Sequence, residues 1–398
     1  MTTEEYIQLH KDDDIRKLAL TTGKEIGIDA SFALDQIAGR QKARTKLPAW
    51  AATDGIVYPP AISMEQCSGE TAAEYKTSVL KRLTDKETSK CILTDLTGGF
   101  GVDFSYMARA TSKAVYVEQQ QHLCDIVAKN LNLLGIINSS VICANSVDYL
   151  NDMSPVTCIY IDPARRDTNG AKVYGIEDCS PDILKIKEQL MIKSRFVMIK
   201  LSPMLDVDAA IKVLGQDNIK EVHIVSVRNE CKEILIVMQC DAPADITVYC
   251  VNDNDIFTYI YGNGSDNGNI IFSDNIPLGG YLYEPNASIM KAGCFALLAE
   301  RYGMKGIERN SHLFVSEKNI ESFPGRTFVI NDVMTMNKKE LRHKLDGITK
   351  ANVAVRNFPM KAEELKKRLK LTDGGSVYLF GTTTKKGKHI IIRASKVN

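Results

Sequence analysis

Between Cys91 and Gln239 the sequence alternates short apolar runs with helical stretches. CILTDL, AVYVE, SVICAN, TCIYID, FVMIKL and HIVSV are near-continuously apolar and read as buried strands. FSYMARAT, CDIVAKNLNLLG, SPDILKIKEQLMI and DAAIKVLG carry apolar residues at helical spacing. Strands of this kind, each followed by a helix, predict an α/β fold: a parallel sheet covered on both faces. EILIVMQ follows HIVSV after only RNECK, too short for a crossover, so this last pair is predicted to be antiparallel. Open sheets of this class bind ligands beyond the carboxyl ends of their strands. The residues at those ends therefore carry the functional question.

The flanks differ in character. Residues 1–90 read as a helical region, with DDDIRKLAL and DASFALDQIAGRQKAR broken by Pro48, Pro59 and Pro60. SMEQCSGETAAEYKTSVLKRL is expected to begin a further helix, with Ser63 and Gln66 as a capping box. After the sheet domain, assigned to 91–242, the glycine-rich stretch NDNDIFTYIYGNGSDNGN marks a junction or an exposed hairpin. A connecting α+β region follows over 243–325, in which YEPNAS is turn chemistry before a helix capped by Asn286 or Ser288. Residues 326–398 form a small α+β module: strands around TFVIND and NVAVRNF, helix KAEELKKRLKL and hairpin SVYLFGTTTKKGKHIIIRA.

Charge is unevenly spread. The 398-residue chain has a net charge of +1, yet residues 326–398 hold 17 Lys+Arg against 6 Asp+Glu, a net of +11, leaving about −10 for the remainder. A split of that size suggests an anionic partner for the terminal module, the alternative being a solvated lysine-rich surface. Lys366 and Lys367 on the helix and Lys385 and Lys386 at the hairpin tip are the candidate contacts, with Phe358, Tyr378 and Phe380 nearby. Alternation in SVYLF places Tyr378 and Phe380 on one face and Val377 and Leu379 on the other, which suits core packing better than stacking on bases. A second basic run, RQKARTKLPAW, is read either as another basic surface or as a helix exterior with Trp50 packed inward.

Ten scattered cysteines without a CxxC, and six histidines without a ligand-spaced pair, predict neither a disulfide framework nor a structural metal. No apolar run follows a basic start, and nowhere do eighteen apolar residues occur together. The expected location is the cytoplasm, with no membrane span.

DLTGGFGVD follows the first strand of the sheet. Its glycines allow a sharp turn and close approach of a ligand to the backbone. A nicotinamide fingerprint requires a third glycine where Phe104 stands, so that pattern fails. An acid at the strand end also repels a pyrophosphate, whereas it favours the ammonium and sulfonium of S-adenosylmethionine. The second strand ends at Glu118, 23 residues after Asp95, placed to accept ribose hydroxyls. The third ends near Asn145 and Ser146, where an adenine amino group needs a partner. Asp95, Thr97, Gly98, Gly99, Phe100, Gly101, Asp103, Glu118, Asn145 and Ser146 are thus the cofactor-binding candidates.

The fourth strand runs into IYIDPARRD. These residues resemble an established set: DLTGGFGVD is similar to motif I of class I S-adenosylmethionine-dependent methyltransferases, Glu118 to the motif II acid, Asn145 to motif III and IDPAR to motif IV. EQCSGETAAEYK resembles the segment that covers the methionine end of the cofactor. Together with KLPAW, YEPNASIMKAG and the final ELKKRLKL–GGSVYLFGTTTKKGKHIII block, they resemble a bacterial family that joins such a domain to a C-terminal THUMP-like domain. The catalytic domain is also similar to trimethylguanosine synthases. The resemblance covers essentially the whole chain. It implies a Rossmann-like sheet, S-adenosylmethionine as cofactor, a ferredoxin-like connecting region and RNA (tRNA or rRNA) as partner.

Amino-group methyltransferases place Asp/Asn-Pro-Pro-aromatic at motif IV. The acid and a proline carbonyl accept hydrogen bonds from the target N–H and aim its lone pair at the methyl. In this chain Asp162 and Pro163 fit, Ala164 replaces the second proline and Arg165 replaces the aromatic. Arg165 and Arg166 suit stacking on a base or pairing with phosphate. The competing reading of all three charges is a strand-end salt bridge. Carbon methylation of uridine needs a cysteine after the fifth strand. Ser202 stands in that place in VMIKLSPMLD, and Cys231 lies a strand later, so this route is set aside. Lys200 is a further cleft candidate for substrate contact. The expected function is methylation of a base nitrogen in RNA. A small-molecule or protein substrate, and a non-catalytic RNA-binding protein with a vestigial pocket, remain the alternatives.

Overall fold

The computed structural model describes residues 1–24, 27–85, 90–165, 175–262, 268–273 and 275–397. Arg166 lies outside the described residues, as does the side chain of Arg165. The chain divides into two compact units, Met1–His223 with Lys232–Ile246, and Ile224–Cys231 with Thr247–Asn398.

The first unit opens with helices α1 (Thr3–His10), α2 (Ile15–Thr21), α3 (Ala30–Lys46), α4 (Pro48–Ala51), α5 (Ala61–Gln66) and α6 (Glu70–Leu83). Ser63 does not cap a helix start. It lies inside α5, Cys67–Gly69 break the chain, and α6 begins after Gly69. Tyr6, Leu18, Ala33 and Ile37 close one small core; Leu47, Trp50, Tyr58 and Met64 join Phe100 and Val102 in another.

The sheet follows: β1 (Ile92–Asp95), α7 (Val102–Ala108), β2 (Lys113–Glu118), α8 (Gln121–Leu133), β3 (Ser139–Cys143), α9 (Ser146–Asp152), β4 (Val156–Ile161), the two-residue β5 (Ala164–Arg165) and β6 (Cys179–Ser180), α10 (Ile183–Lys193), β7 (Ser194–Leu201), α11 (Val207–Leu214), β8 (Ile219–Val227) and β9 (Glu230–Gln239). These seven longer strands run in the order β3-β2-β1-β4-β7-β9-β8 within a nine-stranded sheet. β1, β2, β3, β4 and β7 pair in parallel, and β9 runs antiparallel to β7. Leu93, Tyr116, Cys158, Tyr160, Phe196 and Met198 share one core with α6, α7 and α8. Ile159, Ile161, Val197 and Ile199, at the alternate positions, are equally buried. Both faces are therefore covered, which is why the strands read as unbroken apolar runs. Chain order reverses between β1 and β4, and a crevice at that switch point is where such sheets take ligands.

The second unit contains a hairpin, β10 (Thr247–Asn252) with β11 (Asp255–Ile260), and a seven-stranded sheet. That sheet is built from β12 (Tyr281–Pro285), α12 (Ala287–Ala292), α13 (Phe295–Tyr302), β13 (Lys305–Gly306), β14 (Phe314–Ser316), β15 (Gly325–Thr335), α14 (Lys338–Lys344), β16 (Asn352–Arg356), α15 (Ala362–Leu369), β17 (Val377–Thr383) and β18 (His389–Lys396), ordered β13-β14-β12-β15-β18-β17-β16. Asn286 caps α12 by accepting from the Ile289 N–H. Leu282, Phe328, Phe380 and Ile392 fill one face of the sheet, and Leu365, Leu379 and Ile391 fill the other. Among the described residues no helix is long and apolar enough to cross a membrane.

Candidate functional site

A cavity of about 920 Å³ lies in the first unit at the carboxyl ends of β1, β2, β4 and β7. Its walls come from the glycine loop, Glu118–Gln120, Asn145–Ser146, Asp162–Ala164, Lys200–Ser202 and the Ser63–Ser68 segment before α6.

The glycine loop is shaped by what packs beneath it. Gly98 donates its N–H to the Val117 carbonyl at 2.9 Å, and a Cβ on Gly98 would sit 2.1 Å from the buried ring of Tyr116. Gly101 has φ +76° where the chain enters α7, a conformation that favours glycine. Glu118 braces the loop: its Oε2 accepts from Gly99 N–H at 3.1 Å and its Oε1 from Gln120 N–H at 3.0 Å. Asp95 is buried and accepts from the Thr97 N–H at 3.0 Å; burial pushes its pKa well above the carboxylate range against that hydrogen bond. Phe100 lines the cavity, but its ring packs on Trp50 with centroids 5.0 Å apart. Asn145 departs from expectation. Its side-chain oxygen caps α9, accepting from Val147 N–H at 2.9 Å and Asp148 N–H at 3.4 Å, so it is not the open acceptor foreseen for an adenine amino group. Ser146 begins that helix.

The acid turn is tied directly to this loop. Asp162 donates its backbone N–H to Thr97 Oγ1 at 2.6 Å, and its Oδ2 accepts from Lys200 Nζ at 2.5 Å. Asp162 is 38% exposed at its side chain, while Lys200 is 13% exposed. Pro163 is buried; Ala164 is exposed and pairs with Ser180, and Arg165 pairs through its backbone with Cys179. Ser202 Oγ accepts from the Met204 N–H at 3.3 Å, a turn-forming role.

Behind Asp162 lies a buried charge cluster that sequence reasoning missed. Asp103, grouped above with the cofactor ligands, accepts from Tyr160 Oη at 2.7 Å and Ser68 Oγ at 2.8 Å. It also pairs with Lys76 at 3.2 Å and lies 4.0 Å from Lys200. Lys76, fully buried, further pairs with Glu233 of β9 and donates to Ser68 Oγ at 3.2 Å. Burial raises the Asp103 pKa, but Lys76 and Lys200 outweigh it and hold the carboxyl below its usual range. Burial dominates at Glu233 and leaves its pKa raised. Burial also disfavours the Lys200 ammonium, yet Asp162, Asp103 and Glu233 together lift its pKa above the ordinary lysine value. One sequence signal was present: Lys76 interrupts the apolar stripe Ala72, Ala73, Val79, Leu80, Leu83 of α6. A lysine in that position requires buried partners.

The remaining candidates are not among the residues that line the cavity. Lys366 is 12% exposed and held between Glu363 at 2.9 Å and Asp373 at 2.7 Å. Lys367 and Lys386 are exposed, and Lys385 donates to the Phe272 carbonyl at 3.3 Å. Phe380 is buried, Tyr378 packs on Phe328, and Phe358 belongs to the core beneath α15, so these aromatics are structural. The N-terminal basic run is neutralised: Arg40 pairs with Asp54, Lys42 with Glu65 and Arg44 with Asp12, while Lys46 donates to the Met64 and Glu65 carbonyls and Trp50 is buried. No cluster of metal-ligating side chains occurs among the described residues.

In solved structures the chain is similar to a "putative methyltransferase" from Porphyromonas gingivalis W83, with 28% identity, 99% of this chain and 97% of that one covered, and a TM-score of 0.85. The fold is that of a class I methyltransferase carrying a THUMP-like domain. The THUMP domain-like family model matches residues 325–396 of this methyltransferase fold, and a ferredoxin-like domain model matches 281–324. Partial likenesses reach an rRNA methylase from Streptococcus thermophilus (16% identity, 40% of this chain and 96% of that one, TM-score 0.29). They also reach a SAM-dependent methyltransferase from Agrobacterium tumefaciens (14%, 46% and 64%, TM-score 0.33). No curated protein matches the sequence.

Proposed function

We propose that this chain is an S-adenosylmethionine-dependent methyltransferase acting on a base nitrogen in RNA. The observation that carries the reading is one cavity with a glycine loop and strand-end acids at one end, Asp162 at the other, and Thr97 joining them. The donor set fits a cationic, phosphate-free cofactor. Glu118 at the end of β2 disfavours a pyrophosphate, and Gly98 and Gly99 bring the loop backbone into the cavity wall with no side chain of their own. Gly99, Gly101, Glu118 and the Asn145 amide would hold the nucleoside portion, and Ser63–Ser68 the amino-acid portion. When bound, S-adenosylmethionine supplies an electrophilic methyl group on sulfur.

The chain's own residues do the rest by positioning. Asp162 accepts the N–H of the target amine and so directs the nitrogen lone pair away from itself, toward the methyl donor. Its Oδ1 is the atom placed to receive the proton that the methylated nitrogen gives up. Arg165 and Arg166 sit next in sequence and suit a base face or a phosphate. Lys367, Lys385 and Lys386 of the basic C-terminal segment would contact the RNA backbone. One observation favours a substrate other than RNA: Lys366 and the nearby aromatics are committed inside the unit.

The test is transfer of labelled methyl from S-adenosylmethionine to total RNA from cells lacking this gene, at several salt concentrations. Label in RNA that falls steeply with salt is the expected result. Label in protein or small molecules alone would move the substrate elsewhere, and no label with a protein that binds no S-adenosylmethionine would end the reading.

A further inference from the structure

Asp162 has two carboxylate oxygens and they are not equivalent. Oδ2 is held by Lys200 Nζ, and among the described residues Oδ1 has no hydrogen-bond partner. The backbone of Asp162 is fixed separately through Thr97 Oγ1. Lys200 is fixed in turn: it lies on the parallel strand β7 beside β4, is 13% exposed, and is drawn toward Asp103. Asp103 cannot drift, because Tyr160, Ser68 and Lys76 hold it, and Lys76 is anchored on Glu233. The carboxylate plane of Asp162 is thus set by a chain of contacts reaching from β9 and α6 to the cavity wall.

We propose that Lys200 is a positioning residue, which pins one oxygen of Asp162 and leaves Oδ1 as the single acceptor presented to the substrate. This rests on the reading of Asp162 as the group that orients the target amine. Without Lys200 a half-exposed carboxylate rotates about its side-chain torsions, and the acceptor is no longer in one place. Lys200 does not touch the reacting atoms; its effect is on where Oδ1 stands. The direct alternative is that Lys200 contacts the substrate itself, or only fills the sheet.

The experiment compares Lys200→Met and Lys200→Arg with the wild-type protein, using S-adenosylhomocysteine as the binding probe, crystal structures of each variant, and methyl transfer to RNA. Lys200→Gln, which keeps a donor, stands in if Lys200→Met fails to fold. In Lys200→Met the Asp162 carboxylate should leave its wild-type orientation while the probe binds within about threefold. The kcat should fall by about 100-fold with KM for RNA changed little, because misplacement of a positioning group by an ångström costs that order of rate. Lys200→Arg should keep the carboxylate in place and recover at least about a tenth of the wild-type kcat. An unmoved Asp162 in Lys200→Met overturns the proposal, as does a moved one with unchanged kcat, or a loss confined to KM. Absence of transfer by the wild-type protein would remove the methyltransferase reading instead, and the orientation of Asp162 would still decide the role of Lys200.

Discussion

Two charged clusters are rooted on the same helix, α6, and they end differently. Arg82 makes two hydrogen bonds to Glu221, at 2.7 and 2.5 Å. Glu221 also meets His223 Nε2 at 3.2 Å, and His223 Nδ1 meets Tyr75 Oη at 2.8 Å. Every oxygen of that carboxylate and both imidazole nitrogens are engaged, so the set is closed. The cluster rooted at Lys76 instead runs through Asp103 and Lys200 to Asp162 in the cavity wall, whose Oδ1 has no hydrogen-bond partner among the described residues. A closed set has nothing left to offer a ligand and acts on stability. An open one can do chemistry at its free end, while its buried part supplies rigidity.

Substitutions can break this contrast. The largest effect is expected at the open end: Asp162→Ala should lower transfer by about 10³-fold or more while S-adenosylhomocysteine still binds, since only positioning is lost. Calorimetry beside a filter assay separates the two, and parallel loss of binding and transfer would make Asp162 a cofactor ligand. At the buried root, Lys76→Met strands Asp103 and Glu233 and should cost about 3–5 kcal/mol in urea unfolding. A cost below about 1 kcal/mol would mean that the cluster relaxes and does not form one rigid unit.

The closed set should show the smallest effect and a pH signature. Burial pushes the Glu221 carboxyl up, but Arg82 and His223 outweigh it and hold the pKa at about 2. The ionised form is therefore favoured by folding. Its contribution is complete above the unfolded carboxylate range near about 4.3 and fades as pH falls toward about 2. Because Arg82 is 43% exposed, screening limits this to about 1–2 kcal/mol. Glu221→Gln should lower the urea midpoint at neutral pH by that amount, flatten the acid limb, and leave transfer unchanged. Glu221→Gln that destroyed transfer would join the two clusters into one.

What the sequence disclosed follows the range of the interactions. The strands of the sheet were legible because burial on both faces writes an apolar run, and the glycine loop because Gly98 and Gly101 answer local demands of Tyr116 and a left-handed φ. The covered faces of β17 were legible from the alternation in SVYLF. Helices α9 and α14 went unread, being short and polar outside a few contacts. The Asp162–Lys200 and Lys76–Glu233 pairs were out of reach for a different reason. They join residues 38 and 157 positions apart, and only the strand order brings them together. The pairing of Lys366 with Asp373, and of the N-terminal basic run with Asp12, Asp54 and Glu65, likewise separated a count of charges from the charge actually displayed.

The hydroxyl of Thr97 belongs to the glycine loop, yet it holds the backbone of Asp162. A shift of the loop would therefore strain the hydrogen bond to the acid, and a shift of the acid would strain the same bond from the other side. Two occupants sharing such a joint have affinities that depend on each other by the same factor in either direction. If the loop and the acid each take an occupant, Thr97 is the side chain through which one would be felt at the other.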